Sequence, residues 1–270
     1  MNQQILKQTK KKQQKMMVNN MADDKVIKLS KSNREIRGYA REKLLGNMLM
    51  PCLVTILYFS AKSSFNLIAQ LGILGNDVFA FIFYIVLFLV LNSLWGLIKC
   101  SLTRFYLGFV TRTKKSAVEQ MYVKRPSLNV TLGVSLILSV ISLVVLSPSL
   151  IYTYFFAPDT LTGTAVSLVL VLAAELVLFI INSYLMPVYF IMSDFPDMGV
   201  AMVITMSLSI MNGKKFFKFI GLQLSFIPMY LLGFLSLGIG LVWVVPYVYT
   251  SYTYFYEDLC ESFHKDSLVS

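Results

Sequence analysis

The chain has 270 residues, of which 56% are hydrophobic and only 14% are charged, and its formal net charge is +10. Soluble domains usually carry about a quarter charged residues, so this composition excludes an ordinary soluble domain. The apolar segments do not alternate in polarity over about ten residues, which excludes an outer-membrane barrel. The sequence therefore predicts an all-α fold, a polytopic membrane bundle of about six transmembrane helices with short interfacial or re-entrant helices.

The chain begins with a basic tail, predicted over residues 1–33. Residues 1–43 hold twelve of the 24 Lys and Arg residues and only four acidic residues. The run "KQTKKKQQK" (7–15) has no aromatic residues between its charges and leads toward a membrane segment, which argues against nucleic-acid binding. Lys clusters beside a crossing favour anionic lipid headgroups, at about 1 kcal/mol each. We expect a disordered cytoplasmic tail that contacts lipid transiently and binds no nucleic acid.

Two further basic segments are predicted to lie at the cytoplasmic membrane surface. Arg34, Arg37 and Arg41 alternate with acidic residues in a pattern typical of a juxtamembrane helix whose cationic side lies on headgroups. Arg104 and Arg112 stand among aromatic residues and predict a second helix at the same surface.

The apolar stretches define six predicted crossings, because a helix rising about 1.5 Å per residue needs about 20 residues to span the hydrocarbon. The last two form a helical hairpin, since their apolar stretch is too long for one crossing and is interrupted by Gly233, Gly238 and Gly240. The membrane domain covers residues 34–259, and residues 260–270 form a cytoplasmic tail. The predicted crossings are 47–69, 78–98, 129–155, 164–190, 216–234 and 237–256.

The distribution of Lys and Arg predicts the orientation of these crossings. Residues 99–127 hold seven basic residues against one acidic residue, whereas the short connections at 70–77, 156–163 and 233–237 hold no Lys or Arg. Both termini are therefore expected in the cytoplasm of a bacterial, multi-pass plasma-membrane protein. No cleavable signal peptide is expected, because the first apolar segment follows a long polar one.

Polar groups inside the crossings are the default place to look for function, because placing them in lipid costs free energy. Glu175 lies near the middle of the fourth crossing, and Asn182 shares its helical face. Lys62 in the first crossing and Asn92 in the second complete the candidate intramembrane site, whereas Lys99 is expected too near the cytoplasmic edge to be level with Glu175. Two interpretations stay open: the groups line a pathway for a substrate or a proton, or they satisfy one another between packed helices.

The third crossing carries small polar residues at helical spacing. Thr131, Ser135, Ser139 and Ser142 lie along one face. Such a seam lets another helix approach closely, which favours the packing interpretation.

The sixth crossing ends in a cluster of six aromatic residues. Tyr249, Tyr252 and Tyr256 share one helical face, while Tyr247 and Tyr254 lie on the opposite one. A platform for stacking a ligand needs its rings on one side, whereas Tyr and Trp are common at the headgroup level on all sides of a helix. The pattern favours an interfacial aromatic belt, with ligand stacking and helix packing as alternatives.

The segment between the fourth and fifth crossings contains a short apolar helix, predicted over residues 198–211. Asp194 and Asp197, with Pro196, are typical of a helix start, and Asn-Gly at 212–213 is typical of a helix end. At about 1.5 Å per residue this helix is too short to cross comfortably. It is expected to be interfacial, re-entrant or buried in protein, and a seventh crossing would invert the final hairpin.

The residues that common enzyme chemistry requires are missing from the sequence. There is one histidine, His264, and the three cysteines form no Cys-x-x-Cys pair. The Gly-x-Ser-x-Gly elbow and the phosphate-binding Gly-rich loop are also missing. We expect no catalytic residue, no metal site, no cofactor and no enzyme activity.

Several segments carry a resemblance to a known family. They are "REIRGYAREKLLGN" (34–47), "GLIKCSLTRFYLGFVTRTKKS" (96–116), "YFIMSDFPDMGVAMVITMSLSIMNGKKFFKF" (189–219) and "LLGFLSLGIGLVWVVPYVYTSYTYFYEDL" (231–259). The chain resembles the bacterial integral membrane family catalogued as domain of unknown function 975, found mainly in Firmicutes. The resemblance implies a polytopic membrane fold in a Gram-positive plasma membrane, and it supplies no catalytic residue.

The predicted function is that of a non-enzymatic integral membrane protein, a scaffold or accessory to another membrane or envelope system, with a membrane-protein partner. The alternative is a carrier or lipid-handling protein that uses the polar site around Glu175. Contacts with partners or anionic headgroups are expected mainly from the cytoplasm. The candidate residues at that interface are Arg34, Arg37, Arg41, Arg104, Asp194, Asp197, Tyr252 and Tyr256.

Overall fold

The computed structural model describes residues 31–71, 78–111, 128–156 and 160–269, with the side chains of 66–71 and 264–269 excepted. Most of the predicted basic tail, Arg112 and the side chain of His264 therefore lie outside the described residues. The described part is helical almost throughout and contains no strand, which confirms the all-α fold class. In chain order the helices are α1 (Asn33–Leu44), α2 (Leu49–Leu71), α3 (Val78–Thr111), α4 (Leu128–Ile151), α5 (Leu161–Tyr184), α6 (Pro187–Asp194), α7 (Val200–Ile210), α8 (Lys214–Leu224), α9 (Ile227–Leu235) and α10 (Leu241–Val269).

Within the described ranges, four helical units are long and apolar enough to cross a membrane: Val78–Thr111, Leu128–Phe156, Leu161–Asp194 and Lys214–Leu235. A fifth is added if Asn33–Leu44 and Leu49–Phe65, which meet at a bend of 102°, form one broken span. These units support the predicted polytopic helix bundle, while the number of six crossings stays a prediction. Helix α10 is not among them, because Tyr, Ser and Thr are frequent over residues 247–256 and charged residues follow.

Helix α1 begins with a capping box. The Ser32 hydroxyl accepts a hydrogen bond from the Glu35 backbone N–H at 3.2 Å, and the Glu35 carboxylate accepts one from the Ser32 N–H at 2.6 Å. These bonds satisfy backbone donors that the first turn leaves unpaired. Ile36, Ala40 and Leu44 recur at helical spacing and bury one face of α1, and the helix packs mainly against α10. A helix is therefore present where the basic pattern predicts one, and its position beside the membrane stays a prediction.

Helix α3 is longer than the crossing predicted over residues 78–98. It continues to Thr111 because no proline interrupts it, so Arg104 belongs to this helix and not to a separate surface helix. Phe105 and Tyr106 are buried, and the Tyr106 ring stacks on Tyr249 of α10 at a centroid distance of 5.3 Å. Residues 99–111 are therefore helical, as a continuation of α3 and not as a separate helix, and their place at the membrane surface stays a prediction.

The predicted small-residue seam on α4 lies at a helix interface. Thr131, Ser135 and Ser139 are buried, and α3 and α4 make the most extensive contact between any two described helices. Gly96 of α3 lies so close to Ser135 that a Cβ on Gly96 would overlap the serine side chain. Because small residues permit this approach, the backbones of the two helices come unusually near.

Helices α6 and α7 correct the interpretation of Asp194. The residue is the last of α6, and α7 starts after Gly199, which makes no side-chain cap. Asp194 and Asp197 therefore do not cap the short apolar helix, as the sequence pattern had suggested. That helix exists over Val200–Ile210, and it packs its buried residue Val203 into the main core cluster.

The final hairpin forms where glycines interrupt the apolar stretch. Leu237 and Gly238 both have positive φ, 55° and 86°, in the turn between α9 and α10. Gly233 lies against Leu241, close enough that a Cβ would overlap the leucine side chain. Helix α10 then continues to Val269 instead of ending near residue 256, so the segment predicted as a C-terminal tail is helical. Leu259 is buried and contributes to the core, which explains why the helix continues.

A polar cavity between the helices

A cavity of about 470 Å³ lies between α3, α4, α5, α6, α8 and α10. The small hydroxyl residues of the α4 seam form part of one wall. The charged and amide side chains that line the cavity are Asn92, Lys99, Glu175, Asn182 and Gln223. The cavity therefore joins three of the four predicted intramembrane residues, Glu175, Asn182 and Asn92.

Helices α3 and α5 start at the same end of the bundle. The Phe81 ring, near the start of α3, contacts Tyr154 and Phe155 at the end of the α4 unit, with centroid distances of 4.9 and 5.2 Å. Since α5 begins at Leu161, shortly after these residues, it starts at the same end of the bundle as α3. The depth of a residue along α3 can therefore be compared with its depth along α5.

By residue position along α3 and α5, the polar side chains of the cavity lie at two depths. Asn92 and Glu175 each lie fourteen residues beyond the first residue of their helix, and Lys99 and Asn182 each lie twenty-one residues beyond it. We call Asn92 and Glu175 the first tier and Lys99 and Asn182 the second tier. At about 1.5 Å per residue, the tiers are about 10 Å apart along the helix axes.

Lys99 is the cavity residue that the sequence interpretation set aside. Its difference in depth from Glu175 is real, but it does not keep the side chain out of the same cavity. The Lys99 Nζ lies 6.0 Å from the ring centroid of Tyr189 on α6, within the range of a cation–π contact. It has no salt bridge to an acidic residue in the part of the chain that the structure describes.

Glu175 is likewise without a partner within the described ranges, since its carboxylate makes neither a hydrogen bond nor a salt bridge there. Its neighbours Ala174 and Leu178 are buried, while Glu175 itself is exposed on the cavity side of α5. Asn92 donates only to the carbonyl of Phe88, at 2.9 Å, one turn earlier in its own helix. The predicted polar groups thus share a cavity without satisfying one another.

Lys62 does not line the cavity. It lies exposed on α2 and makes no salt bridge with Glu175. The basic member of the site is therefore Lys99. The signal for it was the spacing of Asn92, Lys99 and Thr103, which places all three on one face of α3.

Rings from three helices form an aromatic wall beside the second tier. Tyr58 of α2 lies 4.8 Å from Trp95 of α3, and Tyr249 of α10 lies 6.2 Å from Tyr252, as ring centroids. Trp95, Tyr249 and Tyr252 line the cavity. The rings of Tyr249 and Tyr252 therefore face the cavity, and an interfacial belt at the end of α10 stays a prediction.

The other candidates for the cytoplasmic interface occupy separate places. The Tyr256 hydroxyl donates to Asp194 at 2.9 Å, and the ring is almost fully buried. Arg34 and Arg41 are exposed on α1, and Asp197 is exposed in the connection between α6 and α7. Arg37 and Arg104 are half-buried on α1 and α3.

A buried ion pair that sequence reasoning missed connects α1, α8 and α10. Lys218 Nζ lies 2.5 Å from Asp258 Oδ2, and the Lys31 backbone N–H donates to Asp258 Oδ1 at 3.0 Å. The Asn33 amide donates to the Lys218 carbonyl at 2.9 Å. These partners are 40 to 227 residues apart, so no local pattern shows them.

Among the described residues, no group of three or more His, Cys, Asp or Glu side chains could hold a metal ion. A family model described as "Protein of unknown function (DUF975)" matches residues 21–262 of the chain. No curated protein and no solved structure matches it.

Proposed function

The chain belongs to the DUF975 family, and we propose that it is a carrier or lipid-handling protein of a bacterial plasma membrane that binds a small polar or amphipathic molecule in the cavity. One observation carries this proposal. A lysine and a glutamate of opposite charge line the same cavity and do not pair with each other.

The energetic argument starts from the position of these residues in helices that are apolar enough to span a membrane. Inserting one Lys or Asp at the centre of such a helix costs about 2.5–3.5 kcal/mol, and charged residues in these positions usually mark binding sites or pathways. Two charges that only stabilised the fold would be expected to pair. Their separation within one cavity supports a ligand that interacts with both.

The volume supports the same conclusion. Sites for small molecules usually measure about 300–1,000 Å³ and combine apolar walls with a few polar groups. The cavity of about 470 Å³ falls in this range, with Phe88, Trp95 and Leu178 among its apolar lining. It is large enough for a lipid headgroup or a small metabolite.

The distribution of basic residues supports an orientation with both termini in the cytoplasm. The second tier, with Lys99 and Asn182, then lies nearer the cytoplasm than the first. A ligand that occupies both tiers would extend from the cytoplasmic half of the membrane toward its middle.

An accessory role remains the second candidate. Leu172 and Leu176 are exposed on α5 together with Glu175, and a helix of a partner protein that covered this face would also cover the carboxylate. In that arrangement a protein partner, and not a small molecule, would account for the unpaired carboxylate. The test must therefore detect both protein partners and small ligands.

The test is purification of the full-length protein from native membranes in mild detergent, with co-purifying proteins, lipids and small molecules identified by mass spectrometry. The wild type is compared with Glu175→Gln and with Glu42→Gln, a matched control on the exposed side of α1. We expect a lipid or small molecule at a fixed ratio in the wild type and the control, and its loss from Glu175→Gln. A stoichiometric protein partner in all three samples, without a small ligand, would overturn the carrier proposal in favour of the accessory role.

A further inference from the structure

We propose that the cavity selects a zwitterion, with an ammonium group held at Glu175 and a phosphate or carboxylate group held at Lys99. This inference rests on the proposed function, because it specifies the charge of the molecule that the cavity binds. The same chemistry occurs in a lipid headgroup that joins a phosphodiester to a primary amine, and in a free amine-bearing phosphate or amino acid.

The first tier is built from acceptors. Glu175 offers a carboxylate, which accepts hydrogen bonds when ionised. The amide nitrogen of Asn92 donates one of its two N–H groups to the Phe88 carbonyl at 2.9 Å, and the amide oxygen of Asn92 is an acceptor that a ligand ammonium can use. Two acceptors at the same depth match an ammonium group, which has only N–H donors.

The second tier offers donors. Lys99 carries an ammonium group with donors only, and Asn182 adds an amide at the same depth on α5. Tyr189 supports the Lys99 charge from one side, at 6.0 Å from its ring centroid. A phosphate or carboxylate at this tier would receive a charge-assisted hydrogen bond from Lys99.

Ligands of a single charge fit less well. An anion without an amine would satisfy Lys99 and leave the Glu175 carboxylate unpaired, whereas a cation would leave Lys99 unpaired. An uncompensated charge in a site removed from water is costly. Only a molecule that carries both charges compensates both residues at once.

The separation of the tiers sets the orientation of the ligand. The backbones of the two tiers are about 10 Å apart along the helix axes, and because helical side chains lean toward the N-terminus, Lys99 leans toward the first tier. The ligand therefore lies along the helices, with its anion toward Lys99 and its amine toward Glu175.

Trp95 provides a direct readout of binding. The chain has two tryptophans. Trp95 lines the cavity, whereas Trp243 is 52% exposed and lies outside its lining. A Trp243→Phe background therefore leaves Trp95 as the single tryptophan fluorophore.

The experiment uses the full-length Trp243→Phe protein in detergent micelles and follows the fluorescence of Trp95. The lipid probes are phosphatidylethanolamine, phosphatidylglycerol and diacylglycerol, and the soluble probes are phosphoethanolamine and glycerol phosphate. We expect the amine-bearing phosphates to bind at least about tenfold more tightly than their amine-free counterparts, which corresponds to about 1.4 kcal/mol. Saturation by phosphatidylethanolamine alone identifies a lipid ligand, and saturation by phosphoethanolamine as well identifies the headgroup as sufficient.

Three variants test the assignment of each charge. Glu175→Gln is expected to abolish the preference for the amine, and Lys99→Gln to weaken the binding of all phosphates. Asn92→Asp adds a second carboxylate to the first tier and is expected to strengthen the preference. Lys214→Gln, at the exposed start of α8 and outside the cavity, is the control and should leave the preference unchanged.

Different results would overturn the zwitterion inference and the carrier proposal. Equal binding of phosphatidylethanolamine, phosphatidylglycerol and diacylglycerol by the wild type would overturn the zwitterion inference and leave the carrier function standing. A preference for the amine that survives in a folded Glu175→Gln protein would overturn the assignment to Glu175. No saturable binding of any probe would overturn both proposals.

Discussion

In one described region of the molecule the charged residues are paired, and in another they are not. Asp258 is 5% exposed and is bonded by both Lys218 and the backbone of Lys31. Glu175 and Lys99 share a cavity but make no salt bridge within the described part of the chain. The first arrangement holds helices together, whereas the second leaves two charges available to a ligand.

The comparison predicts that stability and ligand binding depend on different residues. Removing one partner of a buried ion pair leaves the other charge uncompensated, which destabilises the fold. Removing a charge that has no partner leaves the fold intact and affects only a ligand. The variants below test this separation, in order of their expected effect on the free energy of unfolding.

The largest effect is expected from Asp258→Asn. The variant weakens the contact with Lys218 and the bond from Lys31, which together connect α1, α8 and α10. Breaking a fully buried pair costs about 3–5 kcal/mol, and because the Lys218 side chain is 26% exposed we expect about 2 kcal/mol. Denaturant unfolding of the protein in detergent measures this loss in the free energy of unfolding, and Glu42→Gln serves as the exposed control. A change no larger than that of the control would show that the pair does not stabilise the fold.

The next effect concerns the interface of α3 and α4, which forms one wall of the cavity. Gly96→Ala places a Cβ where the Ser135 side chain lies, so the helices must separate. Overpacking of this kind costs about 1–3 kcal/mol, and because the overlap is with one small side chain we expect a cost of about 1 kcal/mol. The double variant Gly96→Ala with Ser135→Gly removes the overlap, and we expect it to recover most of the loss in melting temperature. If the double variant melts no higher than Gly96→Ala alone, the close approach of the two helices is not the cause.

A smaller effect is expected from pH at the capping box of α1. Hydrogen bonds from the Ser32 backbone, and then from its side chain, lower the pKa of Glu35 from its usual 4.5, and the charges of Lys218 and Lys31 act in the same direction. Because the folded-state pKa is depressed, the stabilisation is present above the unfolded pKa and is lost as the pH falls through the folded pKa.

Hydrogen exchange of the α1 amides measures this dependence. Protection of α1 should decrease as the pH falls below about 4.5, once exchange rates are corrected for the intrinsic effect of pH. The Glu35→Gln variant should lack this decrease and serves as the reference. The same decrease in wild type and variant would assign it to other carboxylates.

The features that sequence analysis predicted well are local or periodic. Apolar length indicated the helices, glycines located the final turn, and the spacing of Thr131, Ser135 and Ser139 indicated a close helix contact. Glu175, Asn182 and Asn92 could be selected because a polar residue in an apolar helix is conspicuous. Each of these signals lies within one segment of the chain.

The features that sequence analysis missed depend on contacts between distant segments. Lys218 and Asp258 are 40 residues apart and meet only because α8 packs near α10. Backbone depth separates Lys99 from Glu175, although a long side chain in an open cavity reaches beyond its own level. Basic residues mark the end of the apolar crossing but not the end of the helix, so the charge pattern does not show that α3 extends to Thr111.

The smallest effect on stability is expected from Glu175→Gln, and this variant sharpens the comparison most. Since the carboxylate has no salt bridge or hydrogen bond within the described ranges, its neutralisation removes no described interaction. Because an unpaired charge in an apolar helix costs free energy, we expect no loss in the free energy of unfolding, while ligand retention is lost. Unfolding and ligand mass spectrometry on the same preparation measure both quantities. A loss of stability comparable to that of Asp258→Asn would mean that Glu175 is paired in the membrane, and the two regions would then not differ in kind.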